Sequence, residues 1–304
     1  MGQRKIVKTI LATRQWLRSF AGQFEVTLRR YPKATIISML VICAVIMLWR
    51  RPEAIIQAQF WAEDGKYWYA DAYNQGWSSL LATYGGYFVL MYRFVAMISL
   101  TLPFHQAPEF FNLTALGFQL LPVLLLCSSR LKSIMPYRSV GILLSLLYVS
   151  LPNNSEVFTN LTNIQWHLGV AALLVLLAQP SKKLLWRLFD YAILIATGLS
   201  GPMVVILAPI SLFLFWRHRT KRYRNMFLLL AGLSVIQIIG IFFLSGVERV
   251  GVARPNFYYF IQMITGQIFI GGLLGQDYVN VLYGNFVMLF VIFTLGITLI
   301  TYAV

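Results

Sequence analysis

The chain has 304 residues, of which 59% are hydrophobic and 12% charged, and its mean hydropathy is +0.70. A soluble domain carries about 25% charged residues, so this composition cannot coat a water-soluble globule. That excludes a soluble enzyme, a secreted disulfide scaffold and a disordered chain. The formal charge of +15 is concentrated: 19 of the 25 Lys and Arg lie in Arg4–Lys33, Arg130–Arg138, Lys182–Arg187 and Arg217–Arg224. Basic segments alternating with apolar runs are the positive-inside signature of a membrane protein, not the charged face of a nucleic-acid binder.

The first 33 residues are expected to form a cytoplasmic basic segment. Their basic region is too long for a cleavable signal, and no small-residue cleavage pattern follows the first apolar run. Val7, Ile10, Leu11, Leu17, Phe20, Phe24 and Leu28 recur near helical spacing, with Arg14, Arg18 and Arg29 between them. That pattern suits an amphipathic helix on an anionic leaflet, or a solvated basic tail.

Residues 34–304 are expected to form the transmembrane domain, an all-α polytopic helix bundle of about eight to ten membrane segments. The apolar runs are Ala34–Trp49, Phe110–Cys127, Ser139–Leu151, Ile164–Ala178, Phe189–Trp216, Met226–Ser245, Tyr258–Leu274 and Val281–Val304. Phe189–Trp216 is too long for one straight span. Broken by Leu199-Ser200-Gly201-Pro202, it is either one tilted helix or, the preferred reading, two helices meeting near the outer surface, the arrangement that keeps Lys182–Arg187 and Arg217–Arg224 on one side. With the basic segments cytoplasmic, the outer face holds 52–84, 152–163 and 246–257. Gly85–Leu102 is apolar enough to span but contains Arg93, and it is read as embedded or re-entrant. Arg50 and Arg51, just beyond the first span on the outer side, run against the charge rule. Cys43 and Cys127 lie in apolar runs without a partner motif and read as small buried hydrophobes. Val281–Val304 stops within an apolar run with no polar anchor after it, the pattern of a short or truncated version.

Most acids fall on the outer side: Glu53, Glu63, Asp64, Asp71, Glu109, Glu156 and Glu248. A solvated face accounts for that; so does a catalytic one. The densest stretch runs from Phe60 to Tyr73 in the outer loop 52–84, where short helices are expected. It sets Glu63 and Asp64 beside Gly65 among Trp61, Tyr67, Trp68, Tyr69 and Tyr73. Aromatics at this position anchor to the interface or stack on the apolar face of a sugar ring while polar groups orient its hydroxyls.

Trp61-Ala62-Glu63-Asp64-Gly65, Gly76-Trp77, Tyr84-Gly85-Gly86-Tyr87 and Arg93 resemble the early region of a bacterial membrane-protein family. Asn160-Leu161-Thr162-Asn163-Ile164-Gln165-Trp166-His167 and Leu199-Ser200-Gly201-Pro202 fit it as well. This family resembles the GT-C superfamily of multi-span glycosyltransferases. The resemblance implies transfer of a sugar from a polyprenyl-phosphate carrier to a glycan or lipid acceptor on the outer side of a bacterial inner membrane. O-antigen-modifying glucosyltransferases are the functional comparison. It implies Asp64 as base or metal ligand with Glu63 as neighbour, both available to a divalent cation if one is used; no cofactor is otherwise implied.

The expected substrate contacts are Trp61, Tyr67, Trp68, Asn163, Gln165, Trp166 and His167, with Asn160 beside them. Arg93, Arg249 and Arg254 are candidates for the phosphate; snorkelling is the other role for Arg93, and a hydrogen-bonded structural role is the other for His167. The expected partners are the lipid-linked sugar, the acceptor and membrane lipids, with no nucleic acid. A transporter or flippase of a lipid-linked saccharide, using the Ser200-Gly201-Pro202 break as a discontinuous helix, and a non-catalytic assembly component are the alternatives. No Walker A loop, His-Glu-x-x-His or Gly-x-Ser-x-Gly motif occurs.

Overall fold

The computed structural model describes residues 22–151, 155–244, 256–272, 275, 279 and 285–303. The described chain is mostly helical, and its one sheet is a two-stranded hairpin pairing Thr83–Tyr84 with Tyr87–Phe88. Three helices are long and apolar enough to cross a membrane: Pro32–Arg50, Phe104–Leu126 and Lys221–Phe243. The remaining apolar helices of the described chain are shorter, among them Arg138–Ser150, Ile164–Leu177 and Met203–His218. Of the expected eight to ten segments, three among the described residues reach spanning length and apolarity, and the other described apolar helices are shorter. The reason is local. A proline stops one of these helices early, at Gln179-Pro180 after Ile164–Leu177. Within Phe104–Leu126, Pro122 divides the run into Ala107–Gln119 and Leu121–Leu126.

Phe189–Trp216 is the expected pair of helices, Leu184–Gly198 and Met203–His218, parted at Leu199–Pro202. The break is a docking point: Leu90 N–H donates to Leu199 O at 2.8 Å, Met91 N–H to Ser200 Oγ at 3.1 Å, and the Tyr92 hydroxyl to Ser200 O at 3.2 Å. Gly201 has φ +142°, and a Cβ there would sit 2.2 Å from Gln165 Oε1. The positive φ requires glycine here, and a side chain would also displace the Gln165 amide.

Gly85–Leu102 is not one continuous helix. It forms the hairpin strand and the helix Leu90–Ser99, whose ten residues rise about 15 Å, half of a hydrocarbon core about 30 Å thick. Its start is tied to the Leu199–Ser200 break, and Phe104 beyond its end packs on Phe60 and Tyr69. Both ends thus stay with the outer loop.

Contacts sort the charges to opposite ends of the bundle. At one end Glu25 accepts from Arg29 and from the backbone of Arg138 and Ser139. There too Asp190 binds Arg130 and Arg222. All four basic segments are represented or adjoined in these contacts. At the other end lie the acidic loops and the Leu199–Pro202 break. Arg50 and Arg51, against the charge rule by sequence, are absorbed there by carbonyls: Arg50 donates to Val149 O at 2.7 Å and Leu151 O at 2.8 Å, and Arg51 to Phe158 O at 2.6 Å. Arg50 thus sits at the C-terminal end of the Arg138–Ser150 helix, where carbonyls lack intrahelical donors, while Arg51 also pairs with Glu53 at 3.4 Å.

The main core joins the outer loop to the bundle through Trp68, Tyr92, Phe111, Leu161, Leu168 and Leu230. A second core packs Met39, Cys43 and Met47 of the first span against Val123, Cys127 and Val149, which confirms both cysteines as buried. Between these helices Gly141 lies so close that a Cβ would meet Leu126 O at 2.2 Å. The segments 257–271 and 286–303 pack on each other around Ile261 and Leu289. The outward faces of the long helices are apolar, with Ile37, Val41 and Val45 on the first and Val235, Ile239 and Phe242 on Lys221–Phe243 all exposed, as lipid contact requires. The first part of the N-terminal apolar pattern, from Val7 to Phe20, lies outside the described residues. Of its continuation, 22–30 is helical with Leu28 buried and Phe24 exposed.

Candidate functional site

A cavity of about 270 Å³ opens at the acidic end between the outer loop and the segment 156–166. Two features of the sequence make its walls. The outer loop turns sharply at Ala62 (φ 43°) and runs into a π-helical turn, Asp64–Tyr69. The facing segment turns at Thr159 (φ 47°). Non-glycine residues in the left-handed region store strain and mark positions over-determined by their surroundings. Both turns border the cavity's walls.

Trp61, Glu63, Asn163, Gln165 and Trp166 line the cavity, as the sequence predicts for them. Tyr84, Tyr87, Glu156 and Thr162 line it as well, and none of these four was among the expected site residues. The signal for Tyr84 and Tyr87 was the Tyr-Gly-Gly-Tyr turn; its hairpin returns both rings to the same wall. Tyr84 donates to Glu63 Oε1 at 3.2 Å. Burial, with the Glu63 charge beside it, pushes the Tyr84 hydroxyl up to about 12, so it stays a donor. Arg51 stacks over the Trp61 ring at 4.2 Å. Asn163 accepts from Trp166 Nε1 at 3.3 Å and donates to Asn160 Oδ1 at 3.0 Å, which fixes the indole at the rim. Gln165 Oε1 is buried without a hydrogen-bond partner. A buried acceptor in a cavity wall is available to a ligand hydroxyl.

Other expected site residues lie elsewhere. Asp64 is fully buried behind the wall. Its Oδ1 accepts from Thr162 Oγ1 at 2.8 Å and its Oδ2 from Leu161 N–H at 3.3 Å. Trp68 Nε1 in turn donates to Thr162 Oγ1 at 3.1 Å. Asp64 is therefore a positioning residue that pins the facing segment, not a carboxylate open to substrate. Trp68 shows the cavity only an edge, being 1% exposed and stacked on Tyr92 at 5.2 Å. Tyr67 packs on Tyr84 at 4.8 Å outside the lining.

Arg93 is buried and paired with Asp71 through Nη1 at 2.7 Å, over the Trp68 ring at 5.5 Å, with its Nε left without a hydrogen-bond partner. It neither faces the cavity nor snorkels, because helix Leu90–Ser99 turns it inward toward the outer loop. His167 points away from the cavity, between the Tyr148 hydroxyl and Val157 O. Asn160 is wholly used in organising its loop, donating to Glu156 O at 2.6 Å and Phe158 O at 3.1 Å. Arg249 and Arg254 lie outside the described residues.

The donor set does not fit a divalent cation. Both oxygens of Asp64 are taken by protein donors, and no group of three His, Cys, Asp or Glu side chains gathers among the described residues. A polar residue inside a span was also missed: buried Gln237 accepts from Phe88 N–H at 2.9 Å and donates to Phe88 O and Gly198 O. A glutamine in the middle of an apolar run was the available signal, since lipid would not tolerate it unpaired.

Burial pushes the Asp64 carboxyl from 3.8 up to about 6, against the Thr162 and Leu161 hydrogen bonds that pull it down. The sign follows from linkage: the folded state holds the proton more tightly than the unfolded one. This contribution to stability is complete below pH 4 and is lost as pH rises to about 6, a fall of roughly 3 kcal/mol. Melting of the detergent-solubilised protein across pH 4–7 should show that fall, and Asp64→Asn should lack it. A constant difference between the two proteins over this range contradicts the assignment.

Comparisons of the chain with protein-family models, curated proteins and solved structures give no match.

Proposed function

We propose that the chain is a membrane glycosyltransferase with a GT-C-like bundle, moving a sugar from a polyprenyl-phosphate carrier to a cell-envelope glycan or lipid acceptor. The observation that carries the reading is one cavity combining aromatic walls, two carboxylates and an unpaired amide oxygen at the end of the bundle where the acidic loops gather. Trp61, Tyr84, Tyr87 and Trp166 suit the apolar face of a sugar, Gln165 suits its hydroxyls, and Asn163 holds the Trp166 indole in place. Glu63 is the candidate base. An acceptor hydroxyl loses its proton to Glu63 as its oxygen bonds to the anomeric carbon; the bond from that carbon to the carrier phosphate breaks, and polyprenyl phosphate leaves. Asp64 acts through Thr162 by holding the opposite wall.

The transporter alternative draws on the Leu199–Pro202 break. That break is fully tied to Leu90, Met91 and Tyr92 at the acidic end, which favours a fixed scaffold. The deciding experiment uses the full chain in proteoliposomes with a radiolabelled polyprenyl-phosphate hexose and envelope lipid as acceptor. Label passing to the acceptor supports transfer; label crossing the bilayer on the intact carrier supports the alternative.

The orientation belongs to the same proposal: acidic end periplasmic, basic end cytoplasmic, in a bacterial inner membrane. Cysteines at Gln75 and Thr220, in a background lacking Cys43 and Cys127, test it with an impermeant thiol reagent on intact cells. Position 75 should label and position 220 should not; the reverse overturns the topology.

A further inference from the structure

The second notable cavity lies at the opposite end, and nothing in the sugar-transfer reading uses it. It measures about 210 Å³ and sits where the Phe104–Leu126 traverse turns back into Arg138–Ser150. Arg29, Lys132 and Arg138 stand around it, over a floor that includes Leu126, Leu131 and Met135.

The charge there is not balanced. Glu25 is the neighbouring carboxylate, and its oxygens are already engaged by Arg29 Nε at 2.9 Å, by Arg138 N–H at 2.9 Å and by Ser139 N–H at 3.1 Å. It offsets one of three cations. Neither Lys132 nor Arg138 pairs with an acid among the described residues. Asp190, the nearest other acid of this end, is consumed by Arg130 and Arg222. About two positive charges therefore surround an apolar floor, next to exposed Ile134 and Tyr137.

We propose that this cavity binds the phosphate-bearing headgroup of an anionic glycerophospholipid, with the start of an acyl chain on the Leu126–Met135 floor. Phosphate chemistry alone would fit the cations. The apolar floor and its place at the end of a membrane-length traverse select the lipid over free phosphate, as basic pockets between membrane helices do elsewhere. The site holds whether or not the acidic-end cavity transfers sugar.

The test is native mass spectrometry of the full chain released from micelles, titrated with phosphatidylglycerol, with phosphatidylcholine and with inorganic phosphate. Phosphatidylglycerol should be retained at one preferred site, phosphatidylcholine should bind about tenfold more weakly, and millimolar inorganic phosphate should not displace the bound lipid. Lys132→Glu, on an exposed side chain, should raise the phosphatidylglycerol Kd about tenfold. Lys183→Glu, at the same end but outside the cavity, should leave it within about twofold. Equal loss in both variants would mean diffuse surface attraction and overturn the site. Equal binding of the two lipids, displacement by free phosphate, or an unchanged Kd in Lys132→Glu would overturn it as well.

Discussion

Glu63→Gln is expected to lower sugar transfer by about 10²–10⁴-fold, the usual contribution of a general base, while leaving the melting temperature nearly unchanged. The side chain lines the cavity, and the Tyr84 hydroxyl that binds Glu63 Oε1 at 3.2 Å can donate equally to a glutamine oxygen. Shape and hydrogen bond survive; only the capacity to take a proton is lost. Asp64→Asn should cost far less activity, because Asp64 has no path to substrate except through Thr162. A larger loss in Asp64→Asn than in Glu63→Gln, measured in the same transfer assay, would return the base role to Asp64, the residue that the family resemblance favours.

The largest stability effect is expected at the other end, from Asp190→Leu. Asp190 receives Arg130 through two bonds, Nη1 at 2.6 Å and Nη2 at 2.7 Å, and lies 3.6 Å from Arg222. Asp190 and Arg130 are both buried. Removing the carboxylate leaves two guanidinium groups facing each other without a counter-charge, a loss of about 3–5 kcal/mol for breaking a buried pair. The Arg130→Leu/Asp190→Leu double variant should be less damaged than Asp190→Leu, since it removes the more buried of the two stranded guanidinium groups and leaves only the partly exposed Arg222. Thermal unfolding of the purified proteins in one detergent checks both values. A double variant as unstable as the sum of its singles would show that the pair is not coupled.

Local chemistry carried the parts that were legible in the sequence. Ser200-Gly201-Pro202 announced a break because glycine and proline punctuate helices whatever surrounds them. The basic segments announced a common end because charge distribution is read along the chain, and Glu25–Arg138 and Arg130–Asp190 now join those segments in space. Trp61, Glu63, Gln165 and Trp166 were legible because the loops carrying them are rich in polar and aromatic groups.

Burial was the illegible quantity. Asp64 and Glu63 are neighbours with the same charge, and only the folding of 155–163 over the loop makes one a cavity wall and the other a buried clasp. Arg93 looked unpartnered because its acid, Asp71, lies 22 residues earlier, and a helical period does not reveal a contact between two elements. His167 was placed at the mouth of a span, yet the turn of its helix aims it at Tyr148.

The central claim, that sugar is bound and transferred in the acidic-end cavity, is tested most directly by a polyprenyl-phosphate sugar carrying a photoreactive diazirine on the sugar ring. After irradiation with the full chain in nanodiscs, cross-linked peptides are mapped by mass spectrometry. Placing the probe on the sugar separates this cavity from any site that merely holds a lipid phosphate. Cross-links are expected in 61–63, 84–87 or 162–166, and they should be competed by unmodified carrier. Competed cross-links confined to 126–138 or 217–224 would contradict the account.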